Sequence, residues 1–230
     1  LLSDWMTQWL QTYAKNAIKP STYISYEGYI YNHINPALGG YPIQQITTPM
    51  VQEFYNQKFQ SGSKKGGGLS PKTLRNMHNM FHQAMEQARI NGMIAVNPTD
   101  GTTLPRREQN EMRVLSLEEE RQLLSVIGMH RLGMAILFDL ATGLRIGELC
   151  ALKWSDINFQ KQTVKISRTL QRIKKSQAER DDDLSYGHCT HIMEASVKTQ
   201  SGFREIPIPR NVFAKLMEYK VRIQDHEKAM

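Results

Sequence analysis

The chain has 230 residues, 40% hydrophobic and 22% charged, enough for one large domain or two ordinary ones with their own cores. No run of about 18 apolar residues is present to span a bilayer, and two cysteines, Cys150 and Cys189, exclude a disulfide scaffold and an all-cysteine zinc site. Twenty-nine Lys and Arg against 22 Asp and Glu give a net charge of +7, an excess that suits a polyanionic partner.

The first hundred residues carry apolar side chains at spacings of three and four, which predicts helices. Leu2, Trp5, Met6, Trp9, Leu10 and Tyr13 mark the first. Pro20-Ser21-Thr22 opens a second with Tyr23, Tyr26, Ile30 and Ile34 on one face, closed by Pro36 and Gly39-Gly40. Thr48-Pro49 starts a third, carrying Met50, Val51, Phe54, Tyr55 and Phe59. Ser70-Pro71 caps a fourth with Leu74, Met77, Phe81, Ala84, Met85 and Ala88 inward, stopped at Asn91-Gly92. Four helices on short loops predict an all-α domain over residues 1–97.

Pro98, Gly101, Pro105 and the mixed-charge run from Arg106 to Glu111 read as an exposed linker over residues 98–113. A second domain, 114–230, opens with Ser116 before Glu118-Glu119-Glu120, the signature of a helix start, and that helix carries Leu117, Leu123, Leu124 and Ile127. Met134 to Ala141 reads as a buried core helix broken at Thr142-Gly143, with helical periodicity resuming from Leu144 to Leu152. The period then becomes two, through Val164 and Ile166 and again through Arg204 to Ile208, which predicts short strands in one small antiparallel sheet. The polar interval from Arg172 to Tyr186 reads as a long loop between strands, and Val212, Leu216, Tyr219 and Ile223 mark a final amphipathic helix. The expected fold class is mainly α with a small antiparallel β-sheet.

The charge is concentrated. Residues 1–105 hold eight Lys and Arg against five Asp and Glu, yet Lys58, Lys64, Lys65, Lys72 and Arg75 fall in one stretch without an acid. A Lys-Lys-Gly-Gly-Gly loop entering a helix N-terminus combines cations with free backbone donors, as a phosphate backbone requires. Lys64, Lys65, Lys72 and Arg75, with Arg168 and Arg172 near the strands, are the expected phosphate contacts.

Arg145 and Glu148 stand three apart on the helix after the Gly143 turn, so one face holds both. A guanidinium emerging from apolar surroundings needs anionic partners; Glu148 supplies one, and a phosphate suits the remaining donors. The segment from Thr142 to Leu149, Thr-Gly-Leu-Arg-Ile-Gly-Glu-Leu, continuing through Leu152-Lys153-Trp154-Ser155-Asp156-Ile157, closely resembles the first arginine motif of the tyrosine recombinases, the phage and conjugative-transposon integrases. The segment from Val197 to Pro209 is similar to that family's hairpin bearing the catalytic lysine, with Lys198 at the matching position. Ser21-Thr22-Tyr23, His33-Ile34 and Leu69-Ser70-Pro71-Lys72-Thr73 are similar to its core-binding domain, so the resemblance covers nearly the whole chain.

The resemblance implies a cofactor-free and metal-free phosphoryl transfer through a 3′-phosphotyrosine intermediate on double-stranded DNA. Arg145 then holds charge on the nonbridging oxygens, Lys198 protonates the departing 5′ oxygen, and Glu148 orients the site. It further implies tetramers of the complete protein on two DNA sites, an accessory DNA-bending or excision factor, and a cytoplasmic, DNA-associated setting in a bacterium. The departures matter as well. No His-x-x-Arg follows Lys198, and Tyr219, the last tyrosine, falls on the buried spacing of the final helix. The chain, which opens on Leu1-Leu2 without a Met, is therefore expected to be a piece that binds DNA without cleaving it. The alternative is a non-catalytic DNA-binding module on a remnant of the same fold. A metal site on Asp181-Asp182-Asp183 or on His188-Cys189-Thr190-His191 is disfavoured, since consecutive carboxylates diverge and a second ligand pair at zinc spacing is missing.

Overall fold

The computed structural model describes residues 1–63, 66–106, 111–175, 190–197 and 202–229. Its contacts divide the chain into two units, Leu1–Asn110 with Ile173–Thr190, and Glu111–Arg172 with His191–Met230.

The first unit is helical. Helices α1 (Leu2–Trp9) and α2 (Pro20–Tyr29) each run on into a π-helical turn, Leu10–Ala14 and Ile30–Ile34, and short α3 (Asn35–Leu38) continues the second. Helices α4 (Thr48–Ser61) and α5 (Pro71–Ile90) follow. The N-terminus of α5 is set as its sequence dictates: Pro71 fixes the first turn, and the Ser70 hydroxyl accepts the Thr73 N–H at 3.2 Å. All six inward residues expected of α5 are sealed from solvent, with Met80 beside them. Full burial of the Leu, Met and Phe side chains among these contributes about 1.5–3 kcal/mol each, so the face of α5 is a large contributor to the unit. Trp5 and Trp9 of α1 pack into the same core, and the Trp5 indole Nε1–H donates to the Ala84 carbonyl at 3.0 Å.

The start of the segment expected to be an exposed linker is instead folded onto this unit. Asn97 and Thr99 are buried, because the Asn97 Oδ1 accepts both the N–H and the hydroxyl of Thr99 while its amide donates to the His82 carbonyl. Farther on, the Thr103 N–H donates to Gln52 of α4 at 2.7 Å. Pro and Gly composition marked the end of helical periodicity here, not the end of packing.

In the second unit, α6 (Leu117–Val126) starts at a capping box: the Ser116 hydroxyl accepts the Glu119 N–H, and the Glu119 carboxylate accepts the Ser116 N–H. Its apolar residues point mostly outward: Leu117, Leu124 and Val126 are exposed, while Ile127 just beyond the helix is buried. Helix α7 (Gly133–Thr142) likewise buries one side only, with Phe138 in the core and Leu140 exposed. The reason is that the core of this unit lies on a single face, where Phe138, Leu144, Val164, Ile166, Val197, Ile208, Val212 and Leu216 meet.

Among the described residues the strands form two sheets rather than one. β1 (Ile157–Asn158), β2 (Thr163–Ile166) and β5 (Arg204–Pro207) are antiparallel in the order β1-β2-β5, with Val164 opposite Ile206 and Ile166 opposite Arg204. β3 (Arg168–Lys174) and β4 (Thr190–Ser196) make a separate pair. Helix α8 (Ile146–Cys150) precedes β1, and α9 (Arg210–Ala229) ends the chain, packing on α7 through Val212 and Leu216. The expected mainly α architecture with a minor antiparallel β component is the one observed, with two small sheets where one was expected.

Candidate active site

Gly143 ends α7 in the left-handed region, φ +62°, and its N–H closes the helix on the Asp139 carbonyl at 2.7 Å. A side chain at this φ would be strained, which explains the Thr-Gly break. The chain then buries Leu144 and leaves Arg145 extended at the N-cap of α8. Glu148, three residues on, reaches back: its Oε2 accepts the Arg145 backbone N–H at 3.1 Å, and its Oε1 accepts Arg145 Nη1 at 2.9 Å.

Glu148 is 4% exposed, and a buried carboxylate needs cationic donors on both oxygens. The second set comes from Arg204, the first residue of β5, whose Nη2 donates to Oε2 at 2.7 Å and Nη1 to Oε1 at 3.2 Å. Nη1 also donates to the Gly202 carbonyl at 3.2 Å. The fork from Arg204 is the largest cause holding the Glu148 carboxyl at about 2, well below its ordinary 4.5; burial opposes it, and the N–H and guanidinium of Arg145 assist. The same bonds raise Arg204 above its ordinary value. Glu148 is thus anionic at every physiological pH.

Two guanidiniums on one carboxylate leave a single net positive charge, and its exposed part is Arg145. That side chain is 76% exposed and donates to Glu148 through one nitrogen, so the rest of its planar fork faces solvent. This arrangement suits bidentate recognition of a phosphate.

Of the residues singled out in the sequence, Arg145 and Glu148 are brought together. Lys198, Lys64 and Lys65 lie outside the described residues, as do the Asp181-Asp182-Asp183 and His188-Cys189 segments. Lys72 and Arg75 are exposed near the start of α5, and Arg172 is exposed on β3. Arg168 is a correction: expected on phosphate, it is only 22% exposed, and its guanidinium grips Asp156 through Nη2 at 2.6 Å and the Ala151 carbonyl through Nε at 3.1 Å. Its charge is taken up in tying β3 to the turn after α8. Arg204, in contrast, carried no role in the sequence reading. The signal that could have found it is Glu148 itself, since an acid in that apolar helix requires more than one cation. Among the described residues, no group of three or more His, Cys, Asp or Glu is placed to hold a metal ion. Among them too, no helix is long and apolar enough to cross a membrane.

Two family profiles match the chain: phage integrase N-terminal SAM-like domain over residues 1–59, and phage integrase family over residues 113–228. A tyrosine recombinase XerC-like protein of Caldanaerobacter subterraneus subsp. tengcongensis is 30% identical, covering 99% of this chain and 56% of its own length. The chain spans about half the length of the curated relatives it matches. Among solved structures, the Tn1549 transposon integrase in complex with transposon right end DNA aligns at a TM-score of 0.72 and 24% identity, over 94% of this chain and 64% of that one. A lambda integrase dimer bound to a core site aligns at 0.60 and 20%, over 85% of this chain and 61% of that one.

Proposed function

The chain belongs to the phage integrase family, the tyrosine recombinases, and from that premise we propose that it is the DNA-binding and phosphate-activating part of a mobile element's site-specific recombinase. The observation that carries this reading is the exposed Arg145 guanidinium, held from behind by a buried, permanently ionised Glu148.

In the complete recombinase the oxygen of a tyrosine, its proton passed to solvent, attacks the scissile phosphorus. The new P–O bond to tyrosine forms as the bond to the 5′ oxygen breaks, and that oxygen takes its proton from the Lys198 ammonium. Arg145 accepts the charge that grows on the nonbridging oxygens, and because Glu148 already holds it, little reorganisation is needed as the reaction proceeds. The phosphotyrosine bond conserves the energy of the cleaved one, so rejoining is the same sequence reversed. These 230 residues contain no His-x-x-Arg after Lys198, and Tyr219 is half-buried on the amphipathic helix α9, so the chain binds duplex DNA and leaves it intact. Lys64, Lys65, Lys72, Arg75 and Arg172 contribute phosphate contacts that set register rather than sequence.

The test is Arg145→Lys in the recombinase that carries this chain. Lysine keeps the charge but loses the planar fork. Single-turnover cleavage is expected to fall by about 100-fold or more, with duplex affinity held within about twofold. Cleavage at the unsubstituted rate would refute the assignment.

A further inference from the structure

We propose that Asn76, Asn79 and Gln83 of α5 set the sequence preference of the chain, their free amides reading adenine edges in the major groove. The inference rests on the recombinase reading above and adds specificity-determining residues to it.

Three observations converge. First, at about 100° per residue, Lys72, Asn76, Asn79 and Gln83 fall within about 60° of one another around α5, with Arg75 at their edge. All five are exposed, while Leu74, Met77, Phe81 and Ala84 on the opposite face are sealed in the core and hold the stripe outward. The stripe runs about 17 Å along a straight helix, and a major groove about 12 Å wide admits such a helix.

Second, these amides are unspent. Asn76, Asn79 and Gln83 make no hydrogen bond among the described residues, whereas on α4 Gln52 donates to Asn56 and to the Thr103 carbonyl, and Gln57 donates to Glu53. A carboxamide presents a donor and an acceptor side by side, and adenine answers with its N7 acceptor beside its N6 donor.

Third, the charge favours this face. No acid lies between Lys72 and Met85, and Glu86, where the stripe ends, is held by the guanidinium of Arg89. Helices α1 and α2 each carry an acid and neither Lys nor Arg. Phosphates are thus drawn to Lys72 and Arg75 at the start of α5, which seats the amides that follow against the bases.

In the test, the 230-residue chain selects from a pool of duplexes with a randomised segment, beside Asn76→Ala, Asn79→Ala and Gln83→Ala. Thermal midpoints are expected to stay within about 3 °C of the parent, because the amides have no partner to lose. The parent should enrich adenine at defined positions. Each variant should lose one of those preferences by about tenfold, with its salt slope and its affinity for unselected duplex unchanged. At such a position 7-deazaadenine, which lacks the N7 acceptor, should weaken the parent by about tenfold and the matching variant hardly at all.

Identical preferences in all four proteins overturn the proposal, as does a parent that binds duplex and prefers nothing. A variant that weakens on every sequence alike removes its residue from base reading, and a parent indifferent to 7-deazaadenine overturns the major-groove placement. Absence of duplex binding by the parent at low salt is a separate failure: it overturns the recombinase reading, and this inference with it.

Discussion

Glu148→Gln isolates the electrostatics of the site in a near-isosteric change. The carboxylate accepts four hydrogen bonds, from the Arg145 N–H, Arg145 Nη1, and the two terminal nitrogens of Arg204. The amide can accept on its oxygen only, and its NH2 must face donors. The carboxyl is held at about 2 against an ordinary 4.5. At about 1.4 kcal/mol per tenfold change in proton affinity, that gap makes ionised Glu148 worth about 3 kcal/mol to the folded state. The sign follows from which state takes the proton first. As pH falls below 4.5 the unfolded chain binds it while the folded one stays ionised to about 2, so the contribution is complete above 4.5 and is lost between 4.5 and 2. Urea unfolding of the parent and variant chains, followed at the Val164 and Ile166 amides so that the second unit is read alone, should give a difference of about 3 kcal/mol at pH 7, shrinking to less than about half of that at pH 3. A difference below about 1 kcal/mol at pH 7, or one that does not narrow by pH 3, would refute the reasoning.

Arg168→Ala leaves Asp156, which is 11% exposed, with the Lys153 N–H alone, and should destabilise the second unit by about 2 kcal/mol in chemical denaturation while leaving the salt dependence of DNA binding unchanged. A lower salt slope in that variant would restore Arg168 to the phosphate contacts. Trp5→Phe removes the buried indole bond to Ala84 and part of the packing between α1 and α5, and is expected to cost the first unit about 1–2 kcal/mol, read by circular dichroism.

The helices of the first unit were legible because both of their determinants are local: apolar spacing gives the face of α5, and Ser70-Pro71 gives its start. The Ser116 capping box was legible for the same reason. Exposure of Leu117 and Leu124 was not, since periodicity tells which face is apolar and nothing about what covers it. The site divides along the same line. Arg145 and Glu148 are three residues apart and fall on one helical turn, whereas Arg204 meets Glu148 across 56 residues, and only the pairing of β5 beside β2 brings it there. Arg168 shows the opposite error: a cation near other cations looked like a phosphate contact, but Asp156, twelve residues earlier, lies within reach once β3 forms. Two sheets in place of one reflect the break at Ser167, where the period of two continues in the sequence while β2 and β3 take different partners.

The most direct measurement is the affinity of the 230-residue chain for duplex DNA as a function of salt, with the double variant Lys72→Ala/Arg75→Ala beside it. Both side chains are exposed near the start of α5, and each phosphate contact removed should flatten the plot of log affinity against log salt by about 0.9. Tight binding at low salt that weakens steeply, with a slope reduced by nearly two in the variant, is the predicted result. No binding at low salt, or binding indifferent to salt and to both substitutions, would contradict the account.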